Sequence, residues 1–118
     1  MKLPRQKVYD KYNGHCAYCG VKMEMKDMQV DHIQPKFHYQ HYRHEIDTNI
    51  PVDSFENLNP SCRRCNNWKR TFTVEKFRHE IQSQQQRLRE RVAGYRLALD
   101  YGLVKESKDP VKFYFETR

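Results

Sequence analysis

The sequence predicts a small α+β fold built round a β-β-α unit, and three observations carry that reading. Two Cys-x-x-Cys pairs, Cys16/Cys19 and Cys62/Cys65, flank a short β-prone run at residues 28–33. The second pair leads at once into a helix-prone stretch, Asn66-Asn67-Trp68-Lys69-Arg70. Apolar residues then recur at three-four spacing through Val74, Phe77, Ile81, Leu88, Val92, Tyr95 and Leu99, the pattern of an amphipathic helix. At 118 residues the chain suits one compact unit with an appendage. Residues 1–72 are expected to form the core, and residues 73–118 a helical and β extension that packs on the core or forms a dimer seam.

Each element has a local reason. Over residues 4–13, Val8 and Tyr12 lie four apart, Pro4 stands near the start and Gly14 just beyond, which predicts a short helix. His15-Cys16-Ala17-Tyr18-Cys19-Gly20 reads as a tight turn in which Gly20 supplies positive φ. The strand at 28–33 stops near Pro35. Residues 36–52 contain His38, His41 and His44, have no glycine and show no clear period, so an irregular, polar, exposed insertion with a helical turn is expected. Glu56-Asn57-Leu58-Asn59-Pro60 supplies a second strand or turn before the second cysteine pair. Beyond it, Thr73 is available as N-cap and Gly102 as a stop, for one helix of about 27 residues. Val111, Phe113 and Phe115 alternate with Lys112, Tyr114 and Glu116 as in a half-buried terminal strand. Trp68 is expected in the core.

Only 37% of the residues are hydrophobic and 31% are charged, with a mean hydropathy of −1.07, so the core must be small and in need of a staple. Four cysteines can supply it as two disulfides or one tetrathiolate metal site. Met1-Lys2-Leu3-Pro4-Arg5-Gln6 lacks an apolar stretch and no segment has the length of a membrane span, which predicts a soluble, cytoplasmic protein with no membrane partner. In that reducing setting paired Cys-x-x-Cys units favour zinc. Net charge is +7 and the pI near 9.3. Four thiolates less the two charges of a zinc dication still leave about +5. A polyanionic partner, nucleic acid first, fits that excess.

Two Cys-x-x-Cys turns close a tetrahedral site with no open position, so zinc on Cys16, Cys19, Cys62 and Cys65 is structural. The 42 residues between Cys19 and Cys62 exceed ordinary ribbon spacing, and they contain Asp31-His32. Phosphodiester cleavage needs a base for water, a cation for the phosphoryl and leaving oxygens, and rigid geometry. An imidazole with an ordinary pKa of about 6.5 suits the first need, which points to His32. Asp31 offers a hard carboxylate oxygen and Asn66 an amide oxygen for magnesium or manganese. Neighbours on a strand point to opposite sides, so Asp31 and His32 are expected to face apart.

The series Cys-x-x-Cys, Val-Asp-His-Ile-x-Pro, Asn-Leu-x-Pro and Cys-x-x-Cys-Asn-x-x-Lys, in this order, resembles the HNH endonucleases of the β-β-α-metal class. The resemblance covers roughly residues 14–70. It implies a zinc-stapled fold of that class, DNA as substrate, His32 as general base, and Asp31 and Asn66 as ligands of the catalytic ion. Asn57 is then the middle Asn of the signature and holds the loop that carries the base. Asn in the third position, where many relatives have His, makes this an HNN variant. Products with 5′-phosphate and 3′-hydroxyl ends are implied in the same way. The chain departs from the family where relatives often carry a Gly-Gly turn, since residues 36–55 contain no glycine.

Asn67 rivals Asn66, and either can simply cap a helix. Arg63, Arg64, Lys69 and Arg70 form a basic cluster suited to backbone phosphates. The long helix leaves open a homodimer. Two other functions stay in view: a zinc-knuckle module that binds nucleic acid or protein without cutting, and an effector subunit that cuts only with a sensor or packaging partner.

Overall fold

The computed structural model describes residues 3–118; Met1 and Lys2, the start of the N-terminal segment, lie outside the described residues. Helix α1, Arg5–Asp10, buries Val8, and after a short turn Gly14, at φ +80°, leads the chain into the first cysteine turn. That turn is closed by a bridge between His15 and Lys22. Gly20 sits at φ +81°, and a Cβ there would lie 2.6 Å from the Tyr114 ring, so the position admits no side chain. Strands β1, Gln29–His32, and β2, Leu58–Ser61, pair antiparallel, with Asp31 opposite Asn59 and His32 opposite Leu58. Between them runs helix α2, Lys36–His41, then a 3-10 turn at Arg43–Glu45. Helix α3, Arg63–Lys69, leaves the second cysteine turn and packs across β1. The β-β-α unit expected from the sequence is therefore present.

The three-four stripe does not form one long helix. It is divided into α4, Val74–Gln82, α5, Gln84–Arg91, and α6, Ala93–Asp100. Thr73 caps α4, its hydroxyl accepting the Lys76 amide, and Gly102 at φ +72° ends α6, both as expected. The corner is Val92, whose backbone is extended at φ −122°, ψ 101°. A continuous helix of that length would run about 40 Å and carry its apolar stripe past the small core. Folding at Val92 instead lays α6 back on α5, where Tyr95 and Arg89 both bind Glu106 and Gln85 pairs with the Ser107 backbone.

The terminal strand is also absent. Tyr114 and Phe115 donate their amides to the Tyr18 and Ala17 carbonyls, after which the chain closes into a 3-10 turn at Tyr114–Thr117. Glu116 explains the turn: its carboxylate accepts the Phe113 amide and pairs with Arg78 of α4. The alternation survives as burial only through Phe113: Val111 is half-buried, Lys112 exposed and Phe113 buried, whereas Tyr114 and Phe115 are both half-buried. Phe113 stacks on Phe77 at 5.2 Å, and Tyr18 meets both rings edge-on. This aromatic cluster, with Val8, Met23, Met28 and Leu58, forms the core. Trp68 is not part of it and stands 54% exposed.

Candidate active site

The two cysteine turns converge. All four Sγ atoms lie within 4.8 Å of one another, and Cys19 and Cys62 are 3.8 Å apart. That spacing is far too long for a disulfide of about 2.05 Å. It matches the edge of a tetrahedron with metal–sulfur bonds of about 2.3 Å. The Tyr18 and Cys62 amides point at Cys16 Sγ, and the Cys65 amide at Cys62 Sγ, so the backbone is arranged to stabilise thiolates. A hydrogen bond from Cys65 holds the Cys16 thiol down at about 4, and the same bond pushes the Cys65 thiol up. Four thiols this close cannot all ionise without a cation among them. The donor set fits zinc.

Strand β1 directs Asp31 and His32 to different neighbours, as its alternation requires. Asp31 is 5% exposed and faces the first cysteine turn and α3. Its Oδ2 accepts the Tyr18 hydroxyl and lies 3.1 Å from Lys69 Nζ. Lys69 is fully buried, and it also donates to the His32 carbonyl at 3.0 Å. Burial pushes the Asp31 carboxyl up and the Lys69 ammonium down, and each is opposed by the other's charge. Asp31 Oδ1 makes no hydrogen bond to the described residues, and neither does the Asn66 carboxamide. Asn66 precedes Lys69 by three residues on α3 and so shares the helix side that meets β1. One carboxylate oxygen and one amide oxygen make a hard donor set, suited to a magnesium or manganese ion that keeps several waters.

His32 faces the loop that precedes β2. Its Nε2 lies 2.8 Å from Asp53 Oδ1, and Lys36 Nζ approaches the same oxygen at 3.9 Å. The His32 hydrogen bond, helped by Lys36, holds the Asp53 carboxyl below its usual range. Asn57 is 2% exposed and ties both sides of this loop together. Its Oδ1 accepts the Gln34 amide at 2.8 Å, its Nδ2 donates to the Gln34 and Val52 carbonyls, and its own carbonyl accepts the Ile33 amide.

The family model described as HNH endonuclease matches residues 16–72. This segment belongs to the HNH endonuclease family. An SPbeta prophage protein of Bacillus subtilis (strain 168), YoqL, named as an HNH endonuclease, is 34% identical over 74 residues, covering 61% of this chain and 30% of that protein. The Septu protein PtuB of Bacillus thuringiensis is 36% identical over 66 residues, covering 54% and 22%. The chain thus spans less than a third of either relative. The crystal structure of the Type II-C Cas9 enzyme from Actinomyces naeslundii aligns with a TM-score of 0.49 at 23% identity, over 65% of this chain and 7% of that one.

Within the HNH segment the structure alters one residue assignment. Lys69, expected among the phosphate-binding residues, is sealed against Asp31 and the His32 carbonyl, because it follows Cys65 by one helical turn on the buried side of α3. Arg63, Arg64 and Arg70 remain exposed. The histidine-bearing insertion, expected to be exposed throughout, is so at His41 and His44, but His38 is buried at 8% exposure with its Nε2 on Glu45. Sequence reasoning missed Tyr18 and Asp53. Tyr18 was visible only as a filler residue inside a metal-binding turn, and nothing in the spacing of Asp53 announces a partner 21 residues away. Asn59, fully buried opposite Asp31 with both side-chain polar atoms unpartnered, was likewise silent in the sequence.

Proposed function

We propose that this chain is a metal-dependent nuclease that hydrolyses DNA phosphodiester bonds, with His32 as general base. The observation that carries the reading is the placement of Asp31 and His32 on adjacent positions of β1. The carboxylate is anchored to α3 through Lys69 and the imidazole is anchored to the opposite loop. A base and an oxygen-donor cradle are then fixed side by side with different orientations, which in-line attack requires. Asp31 Oδ1 and the Asn66 carboxamide would hold the divalent ion, which supplies charge stabilisation to the phosphoryl and leaving oxygens. His32 takes the proton of the attacking water, and Asn57 keeps its loop in register. Products carry 5′-phosphate and 3′-hydroxyl ends. Arg63, Arg64 and Arg70 bind the backbone, and the zinc cluster, which needs reduced thiols, suits a cytoplasmic setting.

Incubation of the zinc-loaded protein with supercoiled plasmid tests this reading. Magnesium or manganese should produce nicked or linear DNA with ligatable ends, and His32→Ala should abolish cutting while retaining zinc and fold. Equal cutting by His32→Ala, or DNA binding with no cutting under any metal or partner condition, would overturn it; the latter result is that of a pure binding module. A second reading, cutting only in the presence of a partner protein or as a homodimer, is favoured by the exposed apolar residues Leu97, Tyr101 and Leu103 at the far end of the helical extension. Among the described residues no helix is long and apolar enough to cross a membrane.

A further inference from the structure

The glycine-free loop between α2 and β2 brings one carboxylate to the proposed base. We propose that Asp53 is a positioning residue that fixes the His32 ring with its proton on Nε2, leaving Nδ1 as the nitrogen that accepts the proton from water. The inference rests on the nuclease reading for its catalytic meaning, but its structural content stands apart from activity.

An ionised carboxylate can only accept hydrogen bonds. At 2.8 Å from Asp53 Oδ1, Nε2 must therefore supply the hydrogen, and in the neutral ring the lone pair then falls to Nδ1. Nδ1 makes no hydrogen bond among the described residues. Lys36, 3.9 Å from the same carboxylate oxygen, favours the ionised form of Asp53 and so keeps it an acceptor.

The pair is held by the fold rather than by chance contact of two surface chains. Asn57 binds the Val52 carbonyl, one residue before Asp53, while its other groups grip Ile33 and Gln34, the residues directly after His32. Ser54, the residue after Asp53, closes a turn onto the Pro51 carbonyl with both its amide and its hydroxyl. The residues after His32 and the residue before Asp53 are thus held by one buried residue, Asn57, and the residue after Asp53 is held by its own turn. Asn57 holds the His32 strand end directly and the Asp53 loop through Val52. The glycine-free loop, which departs from the usual pattern of the family, takes on a specific task.

Spectroscopy on the zinc-loaded protein without magnesium reads the ring directly. Long-range 15N–1H correlations of the neutral imidazole, identified by their loss in His32→Ala, should show Nε2 protonated and Nδ1 bare. Asp53→Ala should shift the ring toward the other tautomer or a mixture, and Asp53→Glu should restore much of the original pattern. In plasmid cleavage Asp53→Ala should lower kcat roughly 10- to 100-fold with KM nearly unchanged, as for other groups that orient a functional histidine. A protonated Nδ1 in the parent protein, or spectra unaltered by Asp53→Ala, would overturn the assignment, as would an unchanged kcat. The expected tautomers in a protein that cuts no DNA would uphold the Asp53–His32 pairing and sink the nuclease reading instead.

Discussion

Replacing Lys69 with methionine keeps the hydrocarbon stem and removes the ammonium, which isolates the consequence of burying Asp31 without its counter-charge. The two side chains are 0% and 6% exposed and 3.1 Å apart, so water cannot take over the role of Lys69. Removing one partner from such a pair costs about 3–5 kcal/mol, whereas an exposed pair rarely exceeds about 1 kcal/mol. For a domain of this size that corresponds to a fall in Tm of roughly 10–20 °C. Urea unfolding of the zinc-loaded protein, without magnesium, measures the loss. The double variant Lys69→Met/Asp31→Asn removes the stranded charge and should recover about half or more of it, giving a coupling of at least about 2 kcal/mol. The pH dependence has a definite sign. Without Lys69 the Asp31 carboxyl rises further above its ordinary 3.8, so the folded protein binds a proton more readily than the unfolded chain. The Lys69→Met defect should then shrink as pH falls through the raised folded value toward 3.8. A loss below about 1 kcal/mol, or additivity of the two substitutions, would refute the reasoning.

Other outcomes follow from the same structure. Chelation of zinc should unfold residues 16–72, because binding at such sites contributes about 10–16 kcal/mol and a small core has little in reserve; circular dichroism with a zinc-release dye checks both loss of structure and a stoichiometry of one. Arg78 holds the Glu116 carboxyl below its usual 4.5, so the tether between α4 and the terminal turn is complete above pH 4.5 and lost as pH falls through the lower folded value. Protection factors at the Tyr114 and Phe115 amides, taken against the intrinsic exchange rate at each pH, should fall over that window, and Glu116→Gln should make them independent of pH there. Arg63→Ala, Arg64→Ala and Arg70→Ala should each reduce the salt slope of DNA binding by about one, measured by fluorescence anisotropy across ionic strengths.

The four-cysteine cluster and the β-β-α centre were legible because their signals are local. Two thiols on one turn can meet a metal wherever the turn goes, and a β-prone run ended by proline stays short in any context. The family resemblance added a role for Asn57 that spacing alone does not contain. In the helical extension the sequence marks the residues and the caps but not the continuity, which breaks into three helices. Three-four periodicity reports which side is apolar and cannot report that the chain bends at Val92 to find something to cover that side. Likewise Val111, Phe113 and Phe115 revealed an alternating half-buried segment, while Glu116 binding Arg78 of a distant helix decided that it closes as a turn.

The linear order of residues by itself determined the four thiols, the neighbouring carboxylate and imidazole that face apart, and the asparagines on either side of the second cysteine turn. Tertiary structure alone decided which groups hold them: Tyr18 and Lys69 on Asp31, Asp53 on His32, and the withdrawal of Lys69 from the surface. The physical reason is range. Alternation and turn geometry act within a few residues, whereas a buried charge needs whichever opposite charge folding brings to it, and here that partner came from 38 positions along the chain for Asp31 and 21 for His32.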